Sequence, residues 1–366
     1  MMNKIKLAII GMGRISPNHV MAVKNNAEIY ELVAVCDLSE ENIELALKKA
    51  EYTEPVARYA DYKTMLAEVH PDMVAIATES GLHAEIGLYC LEQGCHVLIE
   101  KPMAMSVADA QALIDKAEER GLLLGACHQN RFNKSIQRIR EALEEGRFGK
   151  LSHIAAHVRW NRNRQYYEQA PWRGKWASDG GCLMNQCIHN ADLMYWMLGD
   201  IDEVFAYTAQ CQHDYLEAED LGLALVKGKN GAYGLFEGTV NVYPKNLEET
   251  LYIFGETGTV KAAGTSVNLI EEWNFADGKE DPDMVKEICA ETPPNIYGFG
   301  HTRLYADFAD AIHSGRKPLV DGEAGKRALE LILAMYQSKK TGMPVKLPLQ
   351  EFASTDMAGT FGEGTL

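Results

Sequence analysis

The chain has 366 residues, 46% of them hydrophobic, and a formal net charge of −16 at pH 7. That is enough length and apolar content for two ordinary domains, each with its own core. The acidic balance excludes a general nucleic-acid or membrane-surface protein, because polyanions are repelled wherever no local basic patch intervenes, and it points to a small-molecule partner.

Lys4 and Lys6 precede the apolar run Leu7-Ala8-Ile9-Ile10, but Gly11-Met12-Gly13 interrupts it and leaves it too short for the core of a signal peptide. Residues 4–10 instead predict a buried strand, followed by a tight turn to Ser16 and a helix from His19 to Asn25. A second strand at 32–36 ends in Asp37. Helix 40–50, strand 73–77, helix 83–92, strand 96–100, helix 106–119 and strand 122–126 continue the alternation. This order predicts a parallel sheet covered on both faces, an α/β arrangement in which 1–126 is a Rossmann dinucleotide-binding domain.

After residue 127 the pattern changes. A helix over 134–145, stopped by Gly146, leads into longer alternating segments at 151–160, 203–211, 221–227, 232–241 and 249–254. They predict a C-terminal α+β domain with a largely antiparallel, open-faced sheet. Within it 181–198 carries a helical apolar face, and 299–313 and 323–340 predict returning helices. Residues 127–348 are assigned to this substrate domain, and 349–366, small and polar, to a C-terminal tail that is either a loose terminus, the favoured reading, or an arm laid on a neighbouring subunit. The eight cysteines form no CxxC pair and lie mostly in apolar stretches, which suggests reduced thiols and a cytoplasmic location. No apolar run approaches the ~18 residues of a membrane span.

Gly11-x-Gly13-x-x-Ser16 follows a predicted strand and precedes a predicted helix, the context that gives this motif meaning. The first glycine permits the turn, the second admits a pyrophosphate to the backbone, and Ser16 is small enough for close helix–strand packing. Asp37, closing the second strand, can accept hydrogen bonds from ribose hydroxyls and would repel a 2′-phosphate, so the cofactor is read as NAD. A turn or helix-cap role for Asp37 is compatible with this. Thr78-Glu79-Ser80 and His83 place polar groups at the same crevice, with helix capping as the alternative.

Glu100-Lys101-Pro102 closes the apolar run Val97-Leu98-Ile99. A lysine at the carboxyl end of a strand in such a sheet faces the crevice where these folds bind ligands. Burial and the positive charge of an oxidised nicotinamide would favour its neutral form, so Lys101 can accept an alcohol proton as hydride leaves. The tripeptide alone also fits a surface lysine before a helix-starting proline. Between His157 and Trp176, Arg159, Arg162, Arg164, Arg173 and Lys175 accompany a single acidic residue, Glu168, and alternate with Trp160, Tyr166, Tyr167 and Trp172. Arginine forks suit phosphate and carboxylate, and aromatic faces suit uracil or sugar rings; a solvated loop is the alternative. Cys182, Cys187 and His189 lack the carboxylate or second histidine of a helical zinc set, so no metal is expected.

With Gly11-x-Gly13, Thr78 to His83, Glu100-Lys101-Pro102 and the run from Gly180 to Asp192, the chain resembles the glucose–fructose oxidoreductase/inositol dehydrogenase (Gfo/Idh/MocA) family over nearly its whole length. His128 to Asn133, Gln169 to Gly174, Met184-Asn185-Gln186 and Tyr243 to Glu248 narrow the resemblance to the WlbA-type UDP-N-acetyl-2-amino-2-deoxyglucuronate dehydrogenases of bacterial surface-polysaccharide, including lipopolysaccharide, biosynthesis. The resemblance implies that Lys101 and His189 are catalytic at the nicotinamide. It implies NAD contacts from Gly11, Gly13, Arg14, Ile15, Asp37, Thr78, His83, Glu100, Lys101, Gln129, Trp172 and Arg173. It implies contacts to a UDP-sugar acid from Lys101, Arg159, Tyr166, Asn185, His189, Tyr243 and Asn246. Asn185 stands where many members carry aspartate, and an amide can orient a hydroxyl but not titrate. The implied reaction is oxidation of the sugar's 3-hydroxyl to a ketone. Dehydrogenation of a free sugar or inositol, an NAD-dependent glycosidase and a non-catalytic dinucleotide-binding regulator are the alternatives. The resemblance further implies a dimer or tetramer assembled through the open sheet face, with Tyr297, His301 and Arg303 bordering the substrate or a subunit contact.

Overall fold

Each apolar run near the N-terminus becomes a strand of one parallel sheet. In the computed structural model, which describes residues 3–292 and 298–361, the chain opens as β1 (Ile5–Ile10), α1 (Ser16–Asn25), β2 (Tyr30–Cys36), α2 (Glu40–Lys49), β3 (Ala57–Tyr59), α3 (Tyr62–Val69), β4 (Met73–Ile76), α4 (His83–Glu92), β5 (His96–Ile99), α5 (Val107–Arg120) and β6 (Leu124–Ala126). The strand order is β3-β2-β1-β4-β5-β6, with every pairing parallel. Its core strands are buried on both faces, with Leu7, Ala8, Ile9, Val74, Ala75 and Ile76 all fully covered, as expected when crossover helices flank the sheet. The order reverses between β1 and β4, and in such sheets ligands bind beyond the carboxyl ends of the strands at that reversal.

The remaining elements are α6 (Lys134–Glu144), β7 (Leu151–Arg159), α7 (Arg164–Glu168), α8 (Cys182–Asn185), α9 (Ile188–Leu198), β8 (Ile201–Ala209), β9 (Leu221–Gly228), β10 (Tyr233–Thr239), β11 (Glu248–Gly255), β12 (Gly258–Ala263), β13 (Leu269–Phe275), α10 (Pro282–Cys289), α11 (Gly300–Ser314), α12 (Gly322–Thr341) and β14 (Val345–Lys346). The chain divides into two units. The first runs from the N-terminus to Ala104 and adds Ala108–His128 and Phe299–Lys326; the second comprises Met105–Val107, Gln129–Gly298 and the chain from Arg327. Helix α11 therefore packs with the N-terminal sheet rather than with the segment preceding it. The Tyr30 hydroxyl donates to the Tyr305 carbonyl at 2.8 Å and the Asn26 amide to the Thr302 carbonyl at 3.0 Å. A single boundary near 127 does not describe this return of the chain.

The second unit is built on an eight-stranded sheet in the order β13-β12-β11-β7-β10-β9-β8-β14, antiparallel except for the β7–β10 pair. On one face α9, buried almost all round, packs against β7, β10 and β11, and α8 packs against β9 and β10. The other face is open: Tyr207, Leu223, Leu225, Tyr233 and Leu235 are exposed, and on β9 the exposed Leu223 and Leu225 alternate with buried Ala224 and Val226. The helical stretch expected over 181–198 is broken between Asn185 and Ile188.

The described part of the tail, to residue 361, is docked. The Ser354 N–H donates to the Met105 carbonyl at 2.9 Å, Val107 N–H to Phe352 O at 3.0 Å, and the Ser354 hydroxyl to Trp176 O at 2.6 Å. Met357 is fully buried and Phe361 stacks on Trp176 at 6.2 Å. A few apolar anchors suffice to dock a terminus whose average composition is polar. All eight cysteines are free thiols, seven of them buried.

Candidate functional site

The first part of the candidate site is the glycine turn between β1 and α1. Gly11 has φ +92°, and a Cβ there would sit 2.5 Å from the Ala77 carbonyl carbon, so both conformation and space require glycine. A Cβ on Gly13 meets no protein atom within 4 Å, which leaves room at the α1 N-terminus, the place where backbone N–H groups favour a phosphate. Ser16 is buried and donates its hydroxyl to Gly13 O at 2.8 Å, closing the turn. Arg14 is exposed and Ile15 half-buried just ahead of α1. The Asp37 carboxylate accepts Met12 N–H at 2.7 Å, Ser39 N–H at 2.9 Å and the Asn42 amide at 3.1 Å. Asp37 thus braces the glycine turn and the start of α2 together. Gly11→Ala is expected to abolish NADH binding, because forced left-handed geometry costs about 1–2 kcal/mol before the backbone collision is added. Fluorescence titration with NADH checks this; wild-type affinity would show that the turn can relax.

Thr78 and His83 serve the protein in this structure. His83 is buried, with Nδ1 2.7 Å from Pro102 O and Nε2 3.1 Å from Thr78 O. Burial pushes its pKa down against the pull of these two carbonyls. The ring joins the end of β4 to the turn that carries Lys101. Neither Thr78 nor Ser80 caps the following helical turn through its side chain.

Glu100 is buried at the centre of a polar cluster that sequence reasoning did not assemble. Its Oε1 lies 3.1 Å from His19 Nε2 and 3.4 Å from His301 Nε2, and its Oε2 accepts the Lys101 backbone N–H at 3.1 Å. His19 Nδ1 lies 2.7 Å from the Tyr305 hydroxyl. Burial alone would raise the Glu100 pKa, but the hydrogen bonds from His19 and His301 hold it well below the usual carboxylate range. A carboxylate accepts only, so the network assigns Nε2–H to both imidazoles, while His19 Nδ1 pairs with the Tyr305 hydroxyl. The ligand atoms of His19, Glu100 and His301 lie within 4.8 Å of one another, a spacing these hydrogen bonds already account for. His301 thus sits inside the first unit beside Glu100, while Tyr297 lies outside the described residues. His19 had a sequence signal only as part of the helix after the glycine turn.

A second, separate group of candidate residues lies in the other unit. Gln129, His189 and Asn190 are buried, and Asn185 and Tyr166 are half-buried. Helix α9, which carries His189, is fixed by a buried bidentate pair: Arg131 Nε and Nη2 donate to Asp192 at 2.8 and 2.6 Å. The Asn185 amide donates to Asp179 Oδ1, and Asp179 Oδ2 accepts Gly174 N–H at 2.7 Å. Tyr166 lies under two guanidinium groups, Arg173 at 4.1 Å and Arg162 at 5.1 Å from its ring centre, and its hydroxyl accepts from Gln186 at 3.2 Å. Trp172 lies 5.5 Å from the Arg173 guanidinium. Asn246 Oδ1 accepts from Asn161 N–H and from Arg162 Nη1, both at 3.0 Å, while Tyr243 is 91% exposed.

Arg159, expected among the substrate contacts, is paired within the sheet. Its guanidinium donates to Glu237 at 2.9 and 2.5 Å and to Glu248 at 2.5 Å, across the neighbouring strands β10 and β11. Two carboxylates offset its charge there. The basic–aromatic stretch signalled its charge but not the partners, which lie 78 and 89 residues away.

Residues 5–128 match the family model described as "Oxidoreductase family, NAD-binding Rossmann fold", and residues 140–347 that described as "Oxidoreductase family, C-terminal alpha/beta domain". Among solved structures, the chain is similar to the WlbA dehydrogenase from Bordetella pertussis in complex with NADH and UDP-GlcNAcA, with a TM-score of 0.87 and 36% identity, covering 95% of this chain and 99% of that one. Among curated proteins, it is 25% identical to myo-inositol 2-dehydrogenase of Thermotoga maritima, over 94% of this chain and 98% of the relative. It is 27% identical to D-glucoside 3-dehydrogenase of Escherichia coli strain K12, over 94% and 97% respectively.

Proposed function

The chain belongs to the Gfo/Idh/MocA oxidoreductase family, whose two domain models together match most of it, and on that premise we propose that it oxidises the 3-hydroxyl of UDP-N-acetyl-2-amino-2-deoxy-D-glucuronate to the 3-oxo sugar. NAD is the cofactor of the Rossmann domain. When bound it supplies the hydride acceptor; Gly11, Gly13 and Asp37 are the residues here that would hold it. In this reading Lys101 takes the alcohol proton, His189 shares it or holds the hydroxyl in line, and Asn185 orients the substrate.

One observation carries the choice of an anionic nucleotide sugar. The half-buried guanidinium groups of Arg162 and Arg173 at Tyr166 bond to carbonyl and amide oxygens and have no carboxylate partner among the described residues. Cations without a counter-ion favour phosphate or carboxylate oxygens. The 36% identity with an enzyme bound to UDP-GlcNAcA supports the same reading. Oxidation of a free polyol is the second reading, favoured by the inositol and glucoside dehydrogenases among the relatives.

The two are separated by incubating the protein with NAD and either UDP-N-acetylglucosaminuronic acid or myo-inositol, following absorbance at 340 nm and the sugar by mass spectrometry. A nucleotide sugar lighter by the two hydrogens lost supports the first reading, and turnover of inositol alone replaces it with the second. Arg162→Met is expected to raise the KM for the sugar acid about 10- to 100-fold, the loss of one or two charge-assisted hydrogen bonds, with kcat changed far less. An unchanged KM would remove Arg162 from the substrate site.

The exposed Tyr207, Leu223, Leu225, Tyr233 and Leu235 on the open sheet face support assembly into a dimer or tetramer. Sedimentation of wild type against Leu225→Asp tests it. The buried free thiols fit a reducing, cytoplasmic setting, and no helix among the described residues is long and apolar enough to cross a membrane.

A further inference from the structure

The segment from Gly180 to His189 carries Asn185 and His189, and its placement rests on a residue outside the motif. Gly180 has φ +72°, the left-handed geometry that favours glycine, but Gly181 does not. The reason for a glycine at 181 is space, because a Cβ there would lie 1.7 Å from Glu219 Oε2. Glu219 is fully buried directly beneath the turn.

Glu219 serves both leading amides of α8. Its side-chain Oε1 accepts Leu183 N–H at 2.9 Å, and its backbone carbonyl accepts Cys182 N–H at 3.0 Å. The opening N–H groups of a helix have no helical acceptor, and in a buried helix each must find one elsewhere. Oε1 also accepts the Tyr336 hydroxyl at 3.0 Å from α12, and Tyr336 packs edge-on against Trp176 at 5.1 Å. The far side of α8 is fitted as closely. Leu183 presses on the cross-strand pair Gly222 and Gly238, where added Cβ atoms would come within 2.5 and 2.7 Å of its side chain. With the helix gripped on both sides, α8 has one seat, and Asn185 and the start of α9 follow from it.

We propose that Glu219 is a positioning residue for the reaction: through the socket at Gly181 it seats α8 and thereby sets Asn185 and His189. This rests on the reading that Asn185 and His189 meet the substrate. The charge state supports the arrangement. Burial pushes the Glu219 carboxyl up to about 8, against the hydrogen bonds from Leu183 and Tyr336. The titratable groups facing it, Tyr336, Tyr167, Cys182 and Asp220, bring no positive charge to stabilise a carboxylate.

Three variants test this in the full-length protein: Glu219→Ala, Glu219→Gln and Gly181→Ala. Turnover is assayed with UDP-N-acetylglucosaminuronic acid and NAD, NADH affinity by fluorescence, and amide hydrogen exchange over 180–190 by mass spectrometry. Glu219→Ala and Gly181→Ala are expected to lower kcat about 10- to 100-fold, the effect of misplacing a reacting group by about an ångström, with NADH affinity unchanged. Exchange at Cys182 and Leu183 should rise in both. Glu219→Gln keeps the Oε1 acceptor but cannot ionise, so it should restore exchange protection and bring kcat within about threefold of wild type at pH 7, while removing any alkaline fall in kcat near pH 8. If Glu219→Ala leaves exchange over 180–190 unchanged, or lowers only thermal stability with kcat intact, the proposal is overturned. His189→Ala keeps the two readings apart. Normal turnover in that variant sinks the catalytic role of His189, whereas the exchange measurement still decides whether Glu219 seats α8.

Discussion

Lys101→Ala is expected to lower turnover about 10²-fold or more, the usual contribution of a positioned general base, with NADH affinity changed far less. The turn that carries Lys101 is held through its backbone. The Lys101 backbone N–H is held by Glu100 Oε2 at 3.1 Å, and the Pro102 carbonyl meets His83 Nδ1 at 2.7 Å. The turn is therefore anchored from both sides by groups other than the lysine side chain, and removing that side chain leaves the backbone where it was. Steady-state assay at 340 nm together with NADH titration checks the prediction. Turnover near wild type would end the assignment of Lys101 as base, and a matched loss of turnover and NADH affinity would recast it as a cofactor ligand.

The parallel strands of the first sheet were legible because they are short apolar runs closed by chemistry-bearing residues: Gly11 after β1, Asp37 after β2, Thr78 after β4, Lys101 after β5. A parallel strand buried on both faces leaves that signature in one sequence, whereas β3 does not. Only three residues long and largely exposed, it carries no apolar run, and with α3 it went unread. The break between α8 and α9 was hidden for a different reason. The apolar residues continue through it, and what enforces the corner is Glu219, Gly222 and Gly238, distant in the chain. The same limit applies to Glu100. Its histidines come from α1 and α11, separated from it by 81 and 201 residues, and no periodicity links such positions. Side chains that act through the backbone of their own motif can be read in one sequence, while side chains that meet across the fold cannot.

Asp220→Ala is expected to cost about 3–5 kcal/mol, because it removes one member of a buried, hydrogen-bonded charge pair. Fully buried, its carboxylate accepts five hydrogen bonds: Cys211 N–H at 2.9 Å, Gln212 N–H at 2.7 Å, His213 N–H and Nδ1 each at 3.0 Å, and the Asn241 amide at 2.9 Å. His213 Nε2 meets the Arg162 carbonyl at 2.6 Å, so both ring nitrogens face acceptors and the ring is best satisfied as the imidazolium. Burial would push the Asp220 carboxyl up, but the hydrogen bonds from His213, Asn241 and the backbone outweigh it and draw it down to about 2. Burial would lower the His213 pKa, and the hydrogen bonds to Asp220 and Arg162 O raise it above its ordinary value instead. The two linkages have opposite signs. The Asp220 contribution is complete above its unfolded value of about 3.9 and is lost as pH falls through about 2. The His213 contribution is complete below its unfolded value of about 6.5 and is lost as pH rises through the higher folded value. Urea unfolding of wild type and Asp220→Ala between pH 4 and 9 should show the largest difference between about pH 4 and 6.5, shrinking on the alkaline side as the imidazolium titrates. A difference constant up to pH 9 would mean that His213 is neutral throughout and that Asp220 acts through its backbone and Asn241 bonds alone.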